Sequence, residues 1–431
     1  MNDERVGTWG QTSTGTDTLE YAPSWLESIH GRPVSMSLPF LPGNVAHRGQ
    51  HVTTWFDNLL PDSSVIRRRV ARRFRITNTT RDLLAGIGRD CVGAIQILPE
   101  GEIPDSRTAL DGEPLTSSEV ARILRGVTST DSMGARDTAD EPFRISVAGA
   151  QEKTALLRKD GRWFLPKGVT PSTHILKLPL GLVGNMRYDL EHSIANEWLC
   201  LQLLDAMGFP VATTEMATFS DDVSTEHALV VERFDRQWHA SAHIIRLPQE
   251  DMCQALGVSV DDKYEDKGGP GMDSIMQILR ASVDPDNDVR TFVLAQLAFW
   301  VLAAIDGHAK NFSLFLRRDG HTLTPLYDVL SAWPIIGVGP SKLAIQEARL
   351  AMSVRCKIKR YKLRKIATRH WKCLADQSGV SFTEMRDLVD RVPGAIAQVE
   401  PLLPATFPPH IWESITHGMR DQAERFHLGI E

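Results

Sequence analysis

"AAIDGHAKNFSLFL", residues 303–316, sets Asp306, His308, Lys310 and Asn311 within six positions and flanks them with apolar runs. Polar groups between segments that look buried are costly unless they are paired or have a task. Asp306 and Asn311 stand five residues apart, the separation between the base Asp and the metal-binding Asn of a protein-kinase catalytic loop. The chain then runs on as "FSLFLRRDGHTLTPLYD": an apolar strand, a turn at Asp319 and Gly320, a second strand, and Asp328. A hairpin of that length returns Asp328 to the neighbourhood of Asn311, so that two carboxylates and an amide converge. Magnesium takes hard oxygen ligands and keeps several waters. Asn311 and Asp328 therefore suffice as protein ligands beside substrate phosphates. Asp306 is placed to orient or deprotonate an attacking hydroxyl, and Lys310 to neutralise charge on a γ-phosphate. The plain alternative is a helix end with an Asp and an Asn as local caps.

Further parts lie upstream in the order a kinase uses them. Lys177, inside the strand-like run "HILKLP", is a charge in an apolar segment and needs a partner. Glu197 on the following helix is the expected partner, with Glu191 facing elsewhere. A strand Lys paired with a helix Glu is how kinases aim an ammonium at the α- and β-phosphates. "SVAGAQEKT", residues 146–154, joins two strands and offers backbone N–H groups to phosphate, although it carries a single glycine, Gly149. "VVERFDR", residues 230–236, ends the sheet where a kinase has its hinge, so backbone groups from Glu232 to Phe234 are candidates for adenine.

Length and composition fit this reading. With 431 residues, 42% of them hydrophobic, the chain can bury a sizeable core in two or three domains. The N-terminus lacks an apolar leader core, and no stretch approaches the roughly 20 apolar residues of a membrane span, so no membrane association and a cytoplasmic location are expected. Cys91, Cys200, Cys253, Cys356 and Cys373 are scattered and form no C-x-x-C pair, which predicts reduced, buried thiols. Net charge is −6, yet Arg355 to Lys372 holds nine Lys or Arg and no acid. That run is either a solvated face or a phosphate-contacting one.

Along the chain, "RPVSMSLPF" and "CVGAIQILPE" read as strands and "VIRRRVARRF" as a helix, giving a small mixed N-terminal domain. The polar stretch from Thr128 to Glu141 is the linker candidate. Next, "RISVAGAQEKTALLRKDGRWFLP" reads as two strands with a hairpin turn at "KDG", and "THILKLP" and "HALVVERF" as further strands. Between these two lies a helix with Leu190, Ile194, Trp198, Leu201 and Leu204 on a 3.6-residue period, Asp189 as N-cap, and Gly208 with Pro210 as its stop. Beyond about 247, helices dominate. "DVRTFVLAQLAFWVLAAIDG" is an apolar helix expected at the centre of its domain and closing at Gly307. The domains read as 1–135, a mixed subdomain and linker; 136–236, a β-rich nucleotide lobe; and 237–431, a helical lobe.

Across these blocks the chain resembles the HipA family, serine/threonine-kinase toxins of bacterial type II toxin–antitoxin pairs. The resemblance rests on "FRISVAGAQEKTALL", "PSTHILKLP", "NEWLC", "VVERFDR", "RLPQEDMCQALG", "KYEDKGGPGM", "DGHAKNFS" and "LTPLYDVLSAWP". It reaches into the N-terminal region through "EYAPSWL", "PVSMSLP", "FDNLLPDS" and "IGRDCVGAI". It implies an α+β fold of bilobal protein-kinase-like (HipA-like) type, a small mixed N-terminal domain and β-rich lobe preceding an all-helical C-terminal lobe. It implies ATP and magnesium as cofactors. Asp306 would be the catalytic Asp with Lys310 beside it; Asn311 and Asp328 would be metal ligands. Val147, Ala148, Gly149, Ala150, Gln151, Lys153, Lys177, Glu232, Phe234, His308 and Tyr327 would complete the nucleotide site, and Glu197 the structural ion pair. Ser146 matches the family's autophosphorylated serine. The implied partners are a HipB-type helix-turn-helix antitoxin dimer, operator DNA through that complex, which brings the chain to the nucleoid, and an aminoacyl-tRNA synthetase substrate, in the best-known case the glutamyl enzyme. Ser353 departs from the pattern, standing where the family has Gly. Two rival functions remain: a phosphotransferase of the same fold acting on a small molecule or lipid, and a catalytically silent corepressor.

Overall fold

The computed structural model describes residues 1–102, 110–128, 151–184, 187–239 and 243–429. The chain divides into two compact units: Met1–Leu178 with Thr213–Val260 and Phe315–Arg318, and Pro179–Ala212 with Asp261–Leu314 and Asp319–Glu431. The fold is of the mixed α+β class expected. No described helix is long and apolar enough to cross a membrane.

The first unit is built on a six-stranded antiparallel sheet in the order Thr214–Ser220, Thr225–Glu232, His174–Lys177, Lys153–Lys159, Arg162–Pro166, Gly112–Leu115. The hairpin read at "KDG" is present, with Asp160 and Gly161 both at positive φ, as a two-residue turn matched to strand twist requires. Helix Ser117–Thr128 packs on this sheet through buried Val120, Ala121, Leu124 and Val127. The N-terminal region contributes a three-stranded sheet, Gly7–Gln11, Asp17–Tyr21 and His47–Arg48, and helices Gln50–Asp57, Ser64–Phe74 and Thr80–Ile87. Its Trp25, Trp55 and Leu84 share one continuous core with Leu156, Leu176 and Val230 of the large sheet.

Two expected strands are absent. Residues 32–40 form a loop with one isolated bridge, Ser35 to Leu38; both serine hydroxyls of Ser35 and Ser37 donate to the Gln254 carbonyl instead of flanking a ladder. Residues 91–100 are drawn out of strand geometry by charge. The Cys91 carbonyl accepts from Arg233 and Arg236, and Gly93, at φ +74°, lies where a Cβ would come 2.7 Å from the Gln249 carbonyl oxygen. This segment belongs to a buried ionic cluster. Asp90 accepts from Ser172 N (3.1 Å), Arg233 Nη1 (3.3 Å) and Arg236 Nη2 (3.0 Å), with Arg246 Nη2 at 3.7 Å. Asp235 binds Arg233 Nη2 at 2.9 Å and accepts from Gly93 N at 2.7 Å.

The second unit centres on helix Pro285–Leu302, buried on nearly every side from Phe292 to Leu302, with Met272–Leu279, Thr368–Ser378, Phe382–Asp390 and Pro409–Leu428 packed around it. The helix closes at Leu302, before Gly307, because Ala303 takes the left-handed conformation (φ +50°) and its N–H caps Trp300 O. Gly307 serves a different purpose: a Cβ there would lie 2.6 Å from Phe299 Cδ2. Helix Ser193–Ala206 is the one read from periodicity, ending before Gly208 (φ +93°). Its N-cap is His192, not Asp189, which lies in the short strand Tyr188–Leu190 and turns its carboxylate to Glu191 N.

This unit is also not wholly helical. Arg349–Arg355 and Lys359–Lys362 form a hairpin whose charge-rich second strand carries no apolar alternation to reveal it. Cys356 in its turn is joined by a disulfide to Cys373 on helix Thr368–Ser378, with Cα atoms 5.6 Å apart. This corrects the expectation of five thiols, since a pairing made by folding a hairpin back on a helix leaves no short spacing signature. Cys91, Cys200 and Cys253 form no disulfide and are buried, as expected.

Candidate active site

Residues 303–312 leave the central helix as a tight loop. His308 N donates to Asp306 O at 2.8 Å and to Asn311 Oδ1 at 3.2 Å, and Asn311 N donates to His308 O at 2.9 Å. These bonds satisfy part of the polar backbone of a loop set against the core. His308, Lys310 and Asn311 are buried, whereas Asp306 is exposed.

The hairpin does return Asp328 to this loop. Thr324 N donates to Ser313 O at 3.0 Å at its base, and Tyr327 Oη reaches Lys310 O at 2.8 Å and Ser313 Oγ at 2.6 Å. Asn311 Nδ2 then lies 3.3 Å from both Asp328 Oδ2 and Asp328 O. Asp328 has φ +59°, a conformation a non-glycine residue holds only where its surroundings over-determine it. Here they do. Leu326 N donates to Pro210 O, and Ala212 N to Leu326 O, both at 2.8 Å. On the other side Asn196 makes a two-way bond with the Ser331 backbone, 2.8 Å in each direction, while Ser331 Oγ donates to Leu302 O at 2.6 Å.

The donor set suits a hard divalent cation: one carboxylate and one amide, side by side, with room in the coordination shell for phosphate oxygens and water. The Asn311 amide now presents its nitrogen to Asp328, so ligation by its oxygen requires the amide to turn. Tyr264 was not singled out from sequence as a site residue, yet its hydroxyl donates to Asp306 Oδ1 at 2.5 Å. Asn196 was missed likewise, visible only inside the block "NEWLC".

The remaining sequence-derived residues lie in the sheet unit, apart from Glu197. Lys177 stands directly opposite Lys153 in the register of two neighbouring strands, so both side chains leave the same face. Both are buried. Like charges directly opposite destabilise a sheet unless they are compensated. Gln151 Nε2 donates to Leu178 O at 2.5 Å. Glu232 N donates to Thr213 O and Arg233 N to Thr173 O, each at 2.9 Å. Those two donors are therefore committed to the fold and not available to a base. Phe234 packs edge-on against Phe315, centroids 5.7 Å apart. Glu197 is a buried residue of the second unit. Ser146, Val147, Ala148, Gly149 and Ala150, and most of the expected linker, lie outside the described residues.

Comparison with known proteins bears on the whole chain. Residues 145–399 match the HipA-like C-terminal domain and residues 1–98 the HipA N-terminal domain. A Sinorhizobium fredii protein named as a kinase, Y4mE, is 31% identical over 404 residues, covering 91% of this chain and 89% of the relative. The serine/threonine-protein kinase toxin HipA of Shewanella oneidensis is 28% identical over 348 residues, 77% of this chain and 74% of that one. Among solved structures, HipA from Shewanella oneidensis MR-1, in a complex with HipB and operator DNA, matches at a TM-score of 0.79 and 24% identity, covering 100% of this chain and 96% of that one.

Proposed function

This chain belongs to the HipA family, and on that premise we propose that it is an ATP-dependent serine/threonine protein kinase acting as the toxin of a toxin–antitoxin pair. The observation that carries the proposal is the 3.3 Å approach of Asn311 to Asp328 beside the Asp306 loop. In this reading Asp306 accepts the proton of the attacking hydroxyl and Lys310 offsets negative charge. Asn311 and Asp328 hold magnesium, which when bound neutralises charge on the β- and γ-phosphate oxygens. Lys153 and Lys177 are the proposed phosphate-binding lysines, with Gln151 beside them on the same unit. Phe234 and the carbonyls near Glu232 receive adenine, and His308 and Tyr327 shape the floor of the site.

The proposal extends to partners by family: a HipB-type antitoxin, operator DNA through that complex, and an aminoacyl-tRNA synthetase, glutamyl in the first instance, as protein substrate. Ser146 is the proposed autophosphorylation site, where a phosphate adding about −1.5 to −2 charge at neutral pH would repel the nucleotide phosphates. The basic run is a weak support for direct DNA contact. Arg355, Lys359 and Lys362 are bonded to Asp273, Glu265 and Glu347 at 2.9, 2.8 and 3.0 Å, which favours the solvated-face alternative for that part of it.

Incubating the protein with γ-labelled ATP, magnesium and cell extract tests the substrate class. Label is expected in a protein of synthetase size. Label confined to the small-molecule fraction would replace the protein-kinase reading with the small-molecule one.

A further inference from the structure

We propose that Tyr264 is a positioning residue for Asp306, clamping its carboxylate so that one oxygen is left for the acceptor hydroxyl; this rests on Asp306 being the base, as read above. The structure docks the block "KYEDKGGPGM", residues 263–272, against the loop that carries Asp306. Tyr264 Oη donates to Asp306 Oδ1 at 2.5 Å, a length typical of a charge-assisted bond. The Tyr264 ring meets His308 edge-on, centroids 4.9 Å apart at 85°, and Lys263 and Lys267 place their ammonium groups 5.6 and 5.2 Å from its centroid. Ala309 N donates to Lys263 O at 3.4 Å, tying the two loops together through the backbone as well.

The far side of the same loop is anchored independently. Glu265 is buried and accepts from Ser353 N at 2.5 Å and Ser353 Oγ at 3.0 Å, and Lys359 Nζ lies 2.8 Å from its Oε1. The glycines permit this packing and nothing larger does. A Cβ on Gly269 would fall 1.8 Å from Asp262 O, and one on Gly271 2.6 Å from Glu265 Cδ. Ser353, the residue at which this chain departs from the family pattern, thus supplies two of the bonds that fix the loop carrying Tyr264.

Asp306 is exposed on its loop, and among the described residues its side chain makes its hydrogen bond to Tyr264 alone. An unclamped exposed carboxylate samples several rotamers, and a small displacement from attack geometry can cost up to about 100-fold in rate. A hydroxyl fixed on Oδ1 removes that freedom and leaves Oδ2 for the proton of the acceptor.

The test uses the full chain with magnesium and γ-labelled ATP, reading initial rates of label incorporated into the chain itself against ATP concentration. Tyr264→Phe keeps the ring on His308 and removes only the hydroxyl. It is expected to lower kcat by about tenfold with KM for ATP unchanged, and Tyr264→Ala to do the same, as for an interaction made in the transition state. If Phe is silent and only Ala is damaging, the ring is a packing element and the proposal is wrong. It is equally wrong if Phe raises KM for ATP as much as it lowers kcat. Asp306→Asn, run alongside, separates the two layers: transfer surviving that change at the wild-type rate would remove the base reading and this inference with it, whereas a dead Asp306→Asn with a fully active Tyr264→Phe removes the inference alone.

Discussion

Asp306→Asn is expected to cut kcat by about 10²- to 10⁴-fold, the usual contribution of a positioned general base, while KM for ATP stays within about twofold. The asymmetry follows from the geometry. Asn is isosteric and keeps an oxygen to accept from Tyr264 Oη, so the loop should hold its shape. The backbone bonds of the loop, His308 N to Asp306 O and Asn311 N to His308 O, do not involve the altered atoms. Neither does the Asn311 contact with Asp328. What is lost is a negative, proton-accepting oxygen. Initial-rate kinetics beside equilibrium binding of a fluorescent ATP analogue checks both halves. A fall in kcat of less than about fivefold would assign the proton to another acceptor, because it lies below the range expected of a base.

Asp90→Ala is expected to have the largest effect on stability. Asp90 is 1% exposed and faces three guanidinium groups, of Arg233, Arg236 and Arg246. Burial alone would raise its pKa, but the three arginines and the Ser172 hydroxyl overcome this and hold the carboxyl well below the usual range. Removing it leaves buried cations short of one counter-charge, a loss that typically costs about 3–5 kcal/mol. At roughly 2–4 °C per kcal/mol for a unit of this size, melting should drop on the order of 10 °C. A depressed folded-state pKa contributes stability above the unfolded value and loses it as pH falls through the folded one. The difference between wild type and Asp90→Ala should therefore be constant from pH 7 to about 5 and shrink progressively below about 4. Calorimetric scans across that range are the check; a gap that closes already near neutrality would mean that Asp90 does not carry the cluster.

What the sequence made legible and what it hid divide along physical lines. The approach of Asp328 to Asn311 follows from counting residues through one hairpin, although the structure turns at Arg318 and Asp319, one residue before the expected Asp-Gly pair. Helix Ser193–Ala206 and the strands around Lys177 are legible because apolar period and β-branched content agree there. The partners of Asp90 are not: Arg233 lies 143 residues away, and nothing in "IGRDCVG" distinguishes a buried carboxylate from a surface loop. Tyr264 and Asp306 are separated by 42 residues and Asn196 and Ser331 by 135, so the residues that set the site's geometry are invisible to spacing. Part of the basic run finds its counter-charges in the same distant way. Arg355 to Lys372 has no acid of its own, yet the fold supplies Asp273, Glu265 and Glu347 from elsewhere. The Cys356–Cys373 bridge is one more contact of this kind.

Asn311 and Asp328 are together proposed to hold a divalent ion at the nucleotide. Manganese, a spectroscopic substitute for magnesium, makes this directly measurable by electron paramagnetic resonance with the full chain and a non-hydrolysable ATP analogue. A bound Mn²⁺ signal that depends on the analogue is expected, with affinity falling by at least about tenfold in Asp328→Asn and in Asn311→Ala, as loss of a ligating group should cause. Manganese bound as tightly by both variants as by the wild type would contradict it.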